Sequence, residues 1–221
     1  MSMDLGTAFR ERLAQAERHS TPYRHWLLTE TIPETVVRAL TALPIHPACG
    51  DSALDYGGRR ESLNSTRCFV SPALRAAYGI IDDLACAFQD WRTVDAIGRT
   101  CGTDLSFSHL RIEYCLDTNG FWLEPHTDIG TKLFTMLIYL SEGTEARNWG
   151  TDILAPDGTL TARAPAEFLS GLIFIPAQNT WHGFAPRPIR GVRRSLIVNY
   201  VCPDWRDRNQ LAFPDRPVGV N

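Results

Sequence analysis

The sequence predicts a mainly β fold with a helical N-terminal part. Up to about residue 103, apolar side chains recur three or four positions apart, which is a helical spacing. From residue 104 onward, short runs rich in Ile, Leu, Val, Phe and Tyr alternate with turn-forming clusters, the pattern of a β-sandwich or jelly roll. The chain has 221 residues, 44% of them hydrophobic, and shows no linker or repeat. We therefore expect a single domain over 1–221, with helices in 1–103, a β core in 104–203 and a C-terminal tail in 204–221.

Three helices are predicted in the first part. The first covers 4–18, where Leu5, Phe9 and Leu13 lie at helical spacing. The second begins at Thr31-Ile-Pro-Glu34, which has the side chains of a capping box. The third and longest follows the cap signal Ser71-Pro72 and runs over 73–91. Residues 50–66, rich in Gly, Ser and Asp, are predicted to form a loop over the surface or over a site.

Four strands are predicted in the second part, over 109–116, 132–140, 167–176 and 193–201. Each is rich in Ile, Leu, Val, Phe or Tyr, and clusters of Gly, Asn, Asp and Pro separate them.

Charge and cysteine content exclude some classes of function. The net charge of −3 provides no overall positive field for nucleic acid or an anionic membrane. No apolar stretch approaches the roughly 20 residues that span a bilayer, and the charged N-terminus lacks a secretory signal. We expect a cytoplasmic protein whose six cysteines are free, buried thiols, with three disulfides as the alternative.

Three short motifs lie at the ends of the predicted strands. His126-Thr-Asp128 precedes the strand over 132–140, and His182 follows the strand over 167–176 after a short turn. Arg193-Arg-Ser195 begins the last strand, so the side chains of Arg193 and Ser195 share one face. Strand ends of a jelly roll can bring all of these side chains to the mouth of one barrel.

The segments GFWLEPHTD (120–128), YLSEG (139–143), WGTDIL (149–154), WHGFAP (181–186) and RRSLIVNY (193–200) resemble the iron(II) and 2-oxoglutarate dependent dioxygenases, in particular their prolyl hydroxylase-like branch. The resemblance implies a double-stranded β-helix, a cupin-like jelly roll, with the helices packed on its major sheet. It covers nearly half of the chain.

The resemblance also implies a metal site. His126, Asp128 and His182 would bind Fe(II), because two imidazoles and one carboxylate on one face of an octahedral metal leave three positions open. A closed structural zinc site would need a fourth ligand, usually cysteine, and no cysteine is near in sequence.

The co-substrate 2-oxoglutarate would chelate the iron, and Arg193 with Ser195 would bind its far carboxylate. Arg194 remains the alternative anchor, although it would point to the opposite face, and Tyr114 is a further candidate contact. Lys132, the only lysine, and Trp181 are candidate substrate contacts. The alternatives are that Lys132 is a solvated turn residue and that Trp181 is an aromatic residue of the core.

The implied reaction uses O2 to hydroxylate an unactivated C–H bond, with release of succinate and CO2. Asp128 fills the position that is empty in related halogenases, so hydroxylation is favoured over chlorination, and desaturation, cyclisation or epimerisation stay open. We expect a small-molecule substrate, an amino acid or biosynthetic intermediate, recognised by residues 50–66 and 141–150. A non-catalytic jelly-roll binding or sensor protein, or a metal-dependent hydrolase, is the alternative. The sequence does not indicate an oligomeric state.

Overall fold

The structure is a computed structural model and describes residues 4–46, 64–128 and 130–219. The helices of these ranges are α1 (Leu5–Leu13), α2 (Glu34–Thr41), α3 (Pro72–Ala77), α4 (Gly79–Gln89), α5 (Trp91–Cys101) and two short 3-10 helices, Thr144–Trp149 and Arg208–Gln210. The strands are β1 (Glu17–His19), β2 (His25–Leu28), β3 (Ser65–Phe69), β4 (His109–Asp117), β5 (Leu123–His126), β6 (Lys132–Tyr139), β7 (Asp152–Leu154), β8 (Leu160–Arg163), β9 (Gly171–Phe174), β10 (His182–Phe184) and β11 (Arg193–Val201).

The strands form two antiparallel sheets. The larger sheet has the order β1-β2-β9-β6-β11-β4-β3, and the smaller has the order β5-β10-β7-β8. Leu137 and Phe174 of the larger sheet share an apolar cluster with Ile153 of the smaller one, so the two sheets face each other. This arrangement confirms the predicted jelly roll, and all four predicted strands are present.

The larger sheet separates two different environments. Alternate side chains on β4 and β11, such as Ile112 and Val198, pack in one core with Phe9 of α1 and Phe88 of α4. Each such side chain contributes roughly 1.5–3 kcal/mol when fully buried. The helices therefore cover the outer face of the sheet. On β4 and β11, the residues that alternate with these core positions point into the barrel.

The first 103 residues are less helical than their spacing predicts. Strands β1, β2 and β3 come from this part of the chain, and β2 lies in the larger sheet between β1 and β9. Residues 65 and 66 of the predicted loop belong to β3, and residues 50–63 lie outside the described ranges. The N-terminal part is thus both a helical support and an extension of the sheet.

The prediction of one long helix over 73–91 is wrong. Tyr78 adopts an extended conformation (φ −138°, ψ 111°) and separates α3 from α4, and α5 starts at a new cap, Asp90. The Ser71 cap is confirmed, since its hydroxyl accepts from the Leu74 amide at 3.3 Å. The prediction of a capping box at Thr31 is wrong. The Thr31 hydroxyl donates to the Leu169 carbonyl at 2.8 Å, and the N-cap residue of α2 is Pro33. The first helix ends at Leu13.

The C-terminal segment packs along β4. Leu211 and Ala212 are fully buried, and the Ala212 amide donates to the Leu110 carbonyl at 2.9 Å. The five described cysteines are free thiols, and Cys49 lies outside the described ranges. The prediction that they are buried holds for Cys101 and Cys115 and is wrong for Cys86, which is exposed. Among the helices that the structure describes, none is long and apolar enough to cross a bilayer.

Candidate metal centre

The two histidines of the predicted triad lie on neighbouring strands of the smaller sheet. His126 ends β5 and His182 begins β10, and their Cα atoms are direct partners in the antiparallel pairing. Their ring centroids are 4.3 Å apart. Gly183 permits this close approach, because a Cβ there would lie 2.9 Å from the Leu123 carbonyl oxygen.

Backbone carbonyls orient both imidazoles in the same way. Nδ1 of His126 lies 2.7 Å from the Glu124 carbonyl oxygen, and Nδ1 of His182 lies 2.9 Å from that of Thr180. A carbonyl oxygen only accepts hydrogen bonds, so each Nδ1 carries the proton and donates it. Nε2 is then the nitrogen whose lone pair can coordinate a metal, which is the usual arrangement of metal-binding histidines.

Asp128 supplies the carboxylate. Its Oδ1 accepts from Nζ of Lys132 and its Oδ2 from Oγ1 of Thr135, both at 2.7 Å, and its side chain is only 5% exposed. Burial would raise the pKa of Asp128, but the Lys132 ammonium and the hydrogen bonds outweigh it and hold that pKa below its usual range. The carboxylate is therefore ionised at neutral pH.

The three side chains converge. One ligand atom from each of His126, Asp128 and His182 lies within 4.8 Å of the others. Burial lowers the pKa of His182 to about 4, so this imidazole is neutral at pH 7 and can donate its lone pair. This set of donors matches the two-histidine, one-carboxylate arrangement that binds non-haem Fe(II).

A cavity of about 350 Å³ adjoins the triad, and Arg193 lies in its wall. Arg193 is 5% exposed, and its guanidinium carbon lies 4.8 Å from the ring centroid of Phe184, two residues beyond His182. Its Nε donates to the Trp149 carbonyl at 2.7 Å, and its Nη1 donates to Asp117, which is fully buried. Within the described part of the chain, its Nη2 donates to no acceptor.

Ser195 lies two positions further along the inner face of β11. Its hydroxyl is buried and has no hydrogen-bond partner among the described residues. A buried hydroxyl without a partner costs free energy unless a ligand satisfies it. Arg193 and Ser195 thus both carry an unused donor on the inner face of β11, and of the two only Arg193 lines the cavity.

Arg194 and Tyr114 lie on the other face of the sheet. Tyr114 packs in the core that the helices cover and does not line the cavity. The placement corrects the prediction of Tyr114 as a co-substrate contact, since alternation along β4 turns it away from the barrel. Arg194 lines a separate groove on the outer side of the sheet, in agreement with the expectation that it points to the face opposite Arg193.

Of the two candidate substrate contacts, only Lys132 lines the cavity. In the structure, its ammonium forms an ion pair with the Asp128 carboxylate. Trp181 is partly buried and does not line the cavity, and its carbonyl accepts from the Leu154 amide at 3.0 Å. Residues 141–150 do not line it either, but the Trp149 carbonyl holds Arg193.

A charged part of the cavity wall was not predicted from the sequence. Arg67 of β3 lies there, and so do Arg111 and Glu113 of β4, with Trp205 and Gln210 from the C-terminal segment. A signal was present, because β4 carries polar or small residues at every second position, 111, 113, 115 and 117, between the apolar positions 110, 112, 114 and 116. A strand with one apolar face on the helices must turn the other face into the barrel.

Comparison with known proteins gives structural matches alone. No family model and no curated protein matches the sequence. A prolyl-4-hydroxylase from Pseudomonas putida is similar at TM-score 0.57 and 15% identity, over 88% of this chain and 97% of that one. A prolyl hydroxylase from Trichoplax adhaerens, in complex with a hypoxia inducible factor peptide, is similar at TM-score 0.61 and 11% identity, over 90% of each chain.

HygX from Streptomyces hygroscopicus, with nickel, 2-oxoglutarate and hygromycin B bound, is similar at TM-score 0.52 and 15% identity, over 80% of this chain and 82% of that one. At sequence identities this low, the structural similarity shows a common fold and nothing further. The chain therefore has the fold of the iron(II)/2-oxoglutarate oxygenases with a prolyl hydroxylase-like arrangement, as the resemblance of residues 120–200 predicts.

Proposed function

We propose that this protein is an Fe(II) and 2-oxoglutarate dependent dioxygenase that hydroxylates a C–H bond of a small molecule. The observation that carries the proposal is the convergence of His126, Asp128 and His182 beside a cavity with a buried arginine in its wall. The architecture shared with oxygenases of this kind supports it.

The donor set suits ferrous iron better than structural zinc. Two imidazoles and one carboxylate converge, and no cysteine joins the group among the described residues. A closed zinc site would need a fourth protein ligand, whereas three ligands leave positions for a co-substrate and dioxygen.

Arg193 and Ser195 suit the far carboxylate of 2-oxoglutarate. Arg193 Nη2 and the Ser195 hydroxyl are the unused donors of the inner face of β11. Asp117 and the Trp149 carbonyl fix the guanidinium, so it would bind the carboxylate with little loss of side-chain entropy.

When bound, iron, dioxygen and 2-oxoglutarate supply the oxidising power for cleaving an unactivated C–H bond, with succinate and CO2 as products. The residues of the chain hold and orient these partners. Glu124 and Thr180 carbonyls fix the imidazoles, and Lys132 and Thr135 fix the carboxylate of Asp128.

A small-molecule substrate fits the dimensions of the cavity. At about 350 Å³, it falls within the range of pockets that enclose small ligands. Among proteins of this fold, HygX is described with hygromycin B and the Trichoplax enzyme with a peptide, so both substrate types occur. We favour the small molecule, an amino acid or biosynthetic intermediate.

Anaerobic titration with Fe(II) and then 2-oxoglutarate tests the proposal. We expect a weak metal-to-ligand charge-transfer band and, after admission of air, succinate release that increases when the substrate is present. His182→Ala should abolish both, and His109→Gln, a change of a buried histidine outside the triad, should retain both. Absence of the band in the wild type would favour a binding or sensor protein, and turnover without dioxygen or 2-oxoglutarate would favour a hydrolase. Product analysis separates hydroxylation from desaturation, cyclisation and epimerisation.

A further inference from the structure

A second buried arginine lies in the cavity wall, apart from Arg193. Arg111, in the middle of the larger sheet, is 4% exposed. Its Nε donates to Oε1 of Gln210 at 2.7 Å, and its Nη1 donates to Glu113 and, at 3.1 Å, to Oδ1 of Asn199. Three acceptors therefore fix the plane of this guanidinium.

One end of the Arg111 fork remains unused. Within the described part of the chain, its Nη2 donates to no acceptor, although the residue lines the cavity. Burial would raise the pKa of Glu113, but Arg111 and Arg67 hold it below its usual range, so the carboxylate is ionised and keeps the guanidinium in place. A fixed cation with an unused N–H pair is preorganised for an acceptor.

An unpartnered indole N–H lies beside this arginine. Trp205 lines the same cavity, and the guanidinium carbon of Arg111 lies 5.0 Å from its ring. Nε1 of Trp205 is buried and has no hydrogen-bond partner among the described residues. An indole N–H is a donor only, so a ligand that satisfies it presents an acceptor.

This pair of donors adjoins the metal triad. The Arg111 guanidinium connects to Asp128 through Asn199, whose Nδ2 donates to Oγ1 of Thr135 at 2.9 Å, and Thr135 in turn donates to Asp128. A group held by Arg111 therefore lies on the same side of the cavity as the metal ligands.

Arg111 and the Arg193 anchor lie at different ends of the barrel. Arg111 is the strand partner of Asn199, and Arg193 is the partner of Asp117. Six residue steps along β11, from position 193 to position 199, separate the two arginines by about 20 Å of backbone at the rise of a β-strand. One small dicarboxylate cannot be assigned to both, so the two arginines serve different ligands.

We propose that Arg111 and Trp205 bind a carboxylate group of the substrate beside the metal centre, which makes the substrate class a small carboxylic acid. The inference rests on the proposed function, since it places the substrate next to the triad. The side chains in the described wall support an anionic ligand, because four are cationic (Arg67, Arg111, Lys132 and Arg193) and two are anionic (Glu113 and Asp128).

The test measures binding to the protein loaded with Zn(II), which is redox-inert, and saturating 2-oxoglutarate. The probes are matched acids and amides: benzoate and benzamide, phenylacetate and phenylacetamide, L-proline and L-prolinamide, L-leucine and L-leucinamide. Ligand-observed NMR gives the dissociation constants. We expect the carboxylate of at least one pair to bind ten times more tightly than its amide.

Trp205→Phe keeps the aromatic wall and removes only the unpartnered N–H, so it should fold normally and weaken carboxylate binding about threefold to tenfold. Arg111→Gln should weaken it more than tenfold and leave the amides unchanged. Arg206→Gln, an exposed arginine next to Trp205, is the matched control and should bind as the wild type does.

Absence of any acid preference, or a preference that persists in both Trp205→Phe and Arg111→Gln, would overturn the inference. If Arg111→Gln does not fold, Trp205→Phe decides alone. Binding of 2-oxoglutarate is measured in the same samples. Failure of the wild type to bind it would contradict the proposed function, whereas intact 2-oxoglutarate binding without acid preference would contradict this inference alone.

Discussion

Replacing Arg193 with glutamine should lower both the affinity for 2-oxoglutarate and the free energy of unfolding, for two different reasons. The side chain would lose the charge that faces the far carboxylate of 2-oxoglutarate. It would also leave Asp117, which is fully buried, without its cationic partner. A second substitution can restore the stability without restoring the affinity, so the two effects can be measured apart.

The expected loss of affinity for 2-oxoglutarate follows from the burial of Arg193, which would pair with the far carboxylate of the co-substrate. Removing one member of a buried, hydrogen-bonded charge pair costs about 2–5 kcal/mol in binding. At about 1.4 kcal/mol per factor of ten, a middle value of about 3 kcal/mol raises the dissociation constant of 2-oxoglutarate roughly 150-fold.

The loss of stability has a similar size. Breaking a buried ion pair from one side costs about 3–5 kcal/mol, because the remaining charge stays buried. The Ser65 hydroxyl, which donates to Asp117 at 2.6 Å, offsets part of it. We therefore expect a lower free energy of unfolding in Arg193→Gln, at the low end of this range.

The double variant Arg193→Met with Asp117→Asn separates the two effects. It removes both charges, so it should recover most of the lost stability and none of the lost affinity. Isothermal titration with 2-oxoglutarate on the Zn(II)-loaded protein gives the affinity, and urea denaturation gives the stability. Arg187→Gln is the control, because Arg187 forms a comparable pair with buried Asp152 and does not line the cavity. It should lose stability and keep its affinity.

A dissociation constant within threefold of the wild type in Arg193→Gln would refute the assignment of the anchor. If Arg194→Gln then weakened 2-oxoglutarate binding instead, the anchor would lie on the outer face of the sheet.

Three further outcomes follow from the same geometry. Thr135→Val removes a 2.7 Å hydrogen bond to Asp128, so calorimetric titration should show metal affinity reduced about tenfold, and an unchanged affinity would contradict the role of Thr135 in orienting that ligand. Burial lowers the pKa of His25 below 6.5, so the unfolded chain takes up a proton that the folded protein resists. The free energy of unfolding of the metal-free protein should therefore fall as pH decreases from 7 through 6.5 to 5, and fall less in His25→Gln; equal slopes would refute this. Tyr114→Phe should bind 2-oxoglutarate as the wild type does, because Tyr114 packs in the core that the helices cover, and a weaker 2-oxoglutarate affinity would return Tyr114 to the co-substrate site.

The residues proposed to bind metal could be picked out from the sequence because their residue types and their order along the chain resemble those of the dioxygenases. His126-Thr-Asp128 precedes the predicted strand over 132–140, and His182 follows the one over 167–176. The short strands that carry the two histidines, β5 and β10, have no apolar run and were not predicted, and their pairing brings the histidines together. The last strand has the predicted bounds, so alternation placed Arg193 and Ser195 on one face and Arg194 on the other, and the resemblance indicated which face is the inner one.

The remaining errors come from interactions between distant parts of the chain. The Thr31 hydroxyl bonds to Leu169, 138 residues away, in place of capping its helix, and helical spacing over 73–91 gives no sign of the extended residue at Tyr78. Trp205 lies in a segment predicted as a tail, and only the folded structure places it in the cavity.

A crystal structure of the protein soaked anaerobically with Mn(II) and 2-oxoglutarate, with anomalous data at the manganese edge, tests the central claim most directly. We predict one strong anomalous peak coordinated by Nε2 of His126, Nε2 of His182 and the carboxylate of Asp128, with the far carboxylate of 2-oxoglutarate on Arg193 and Ser195. Manganese bound elsewhere, or 2-oxoglutarate density away from Arg193, would contradict it.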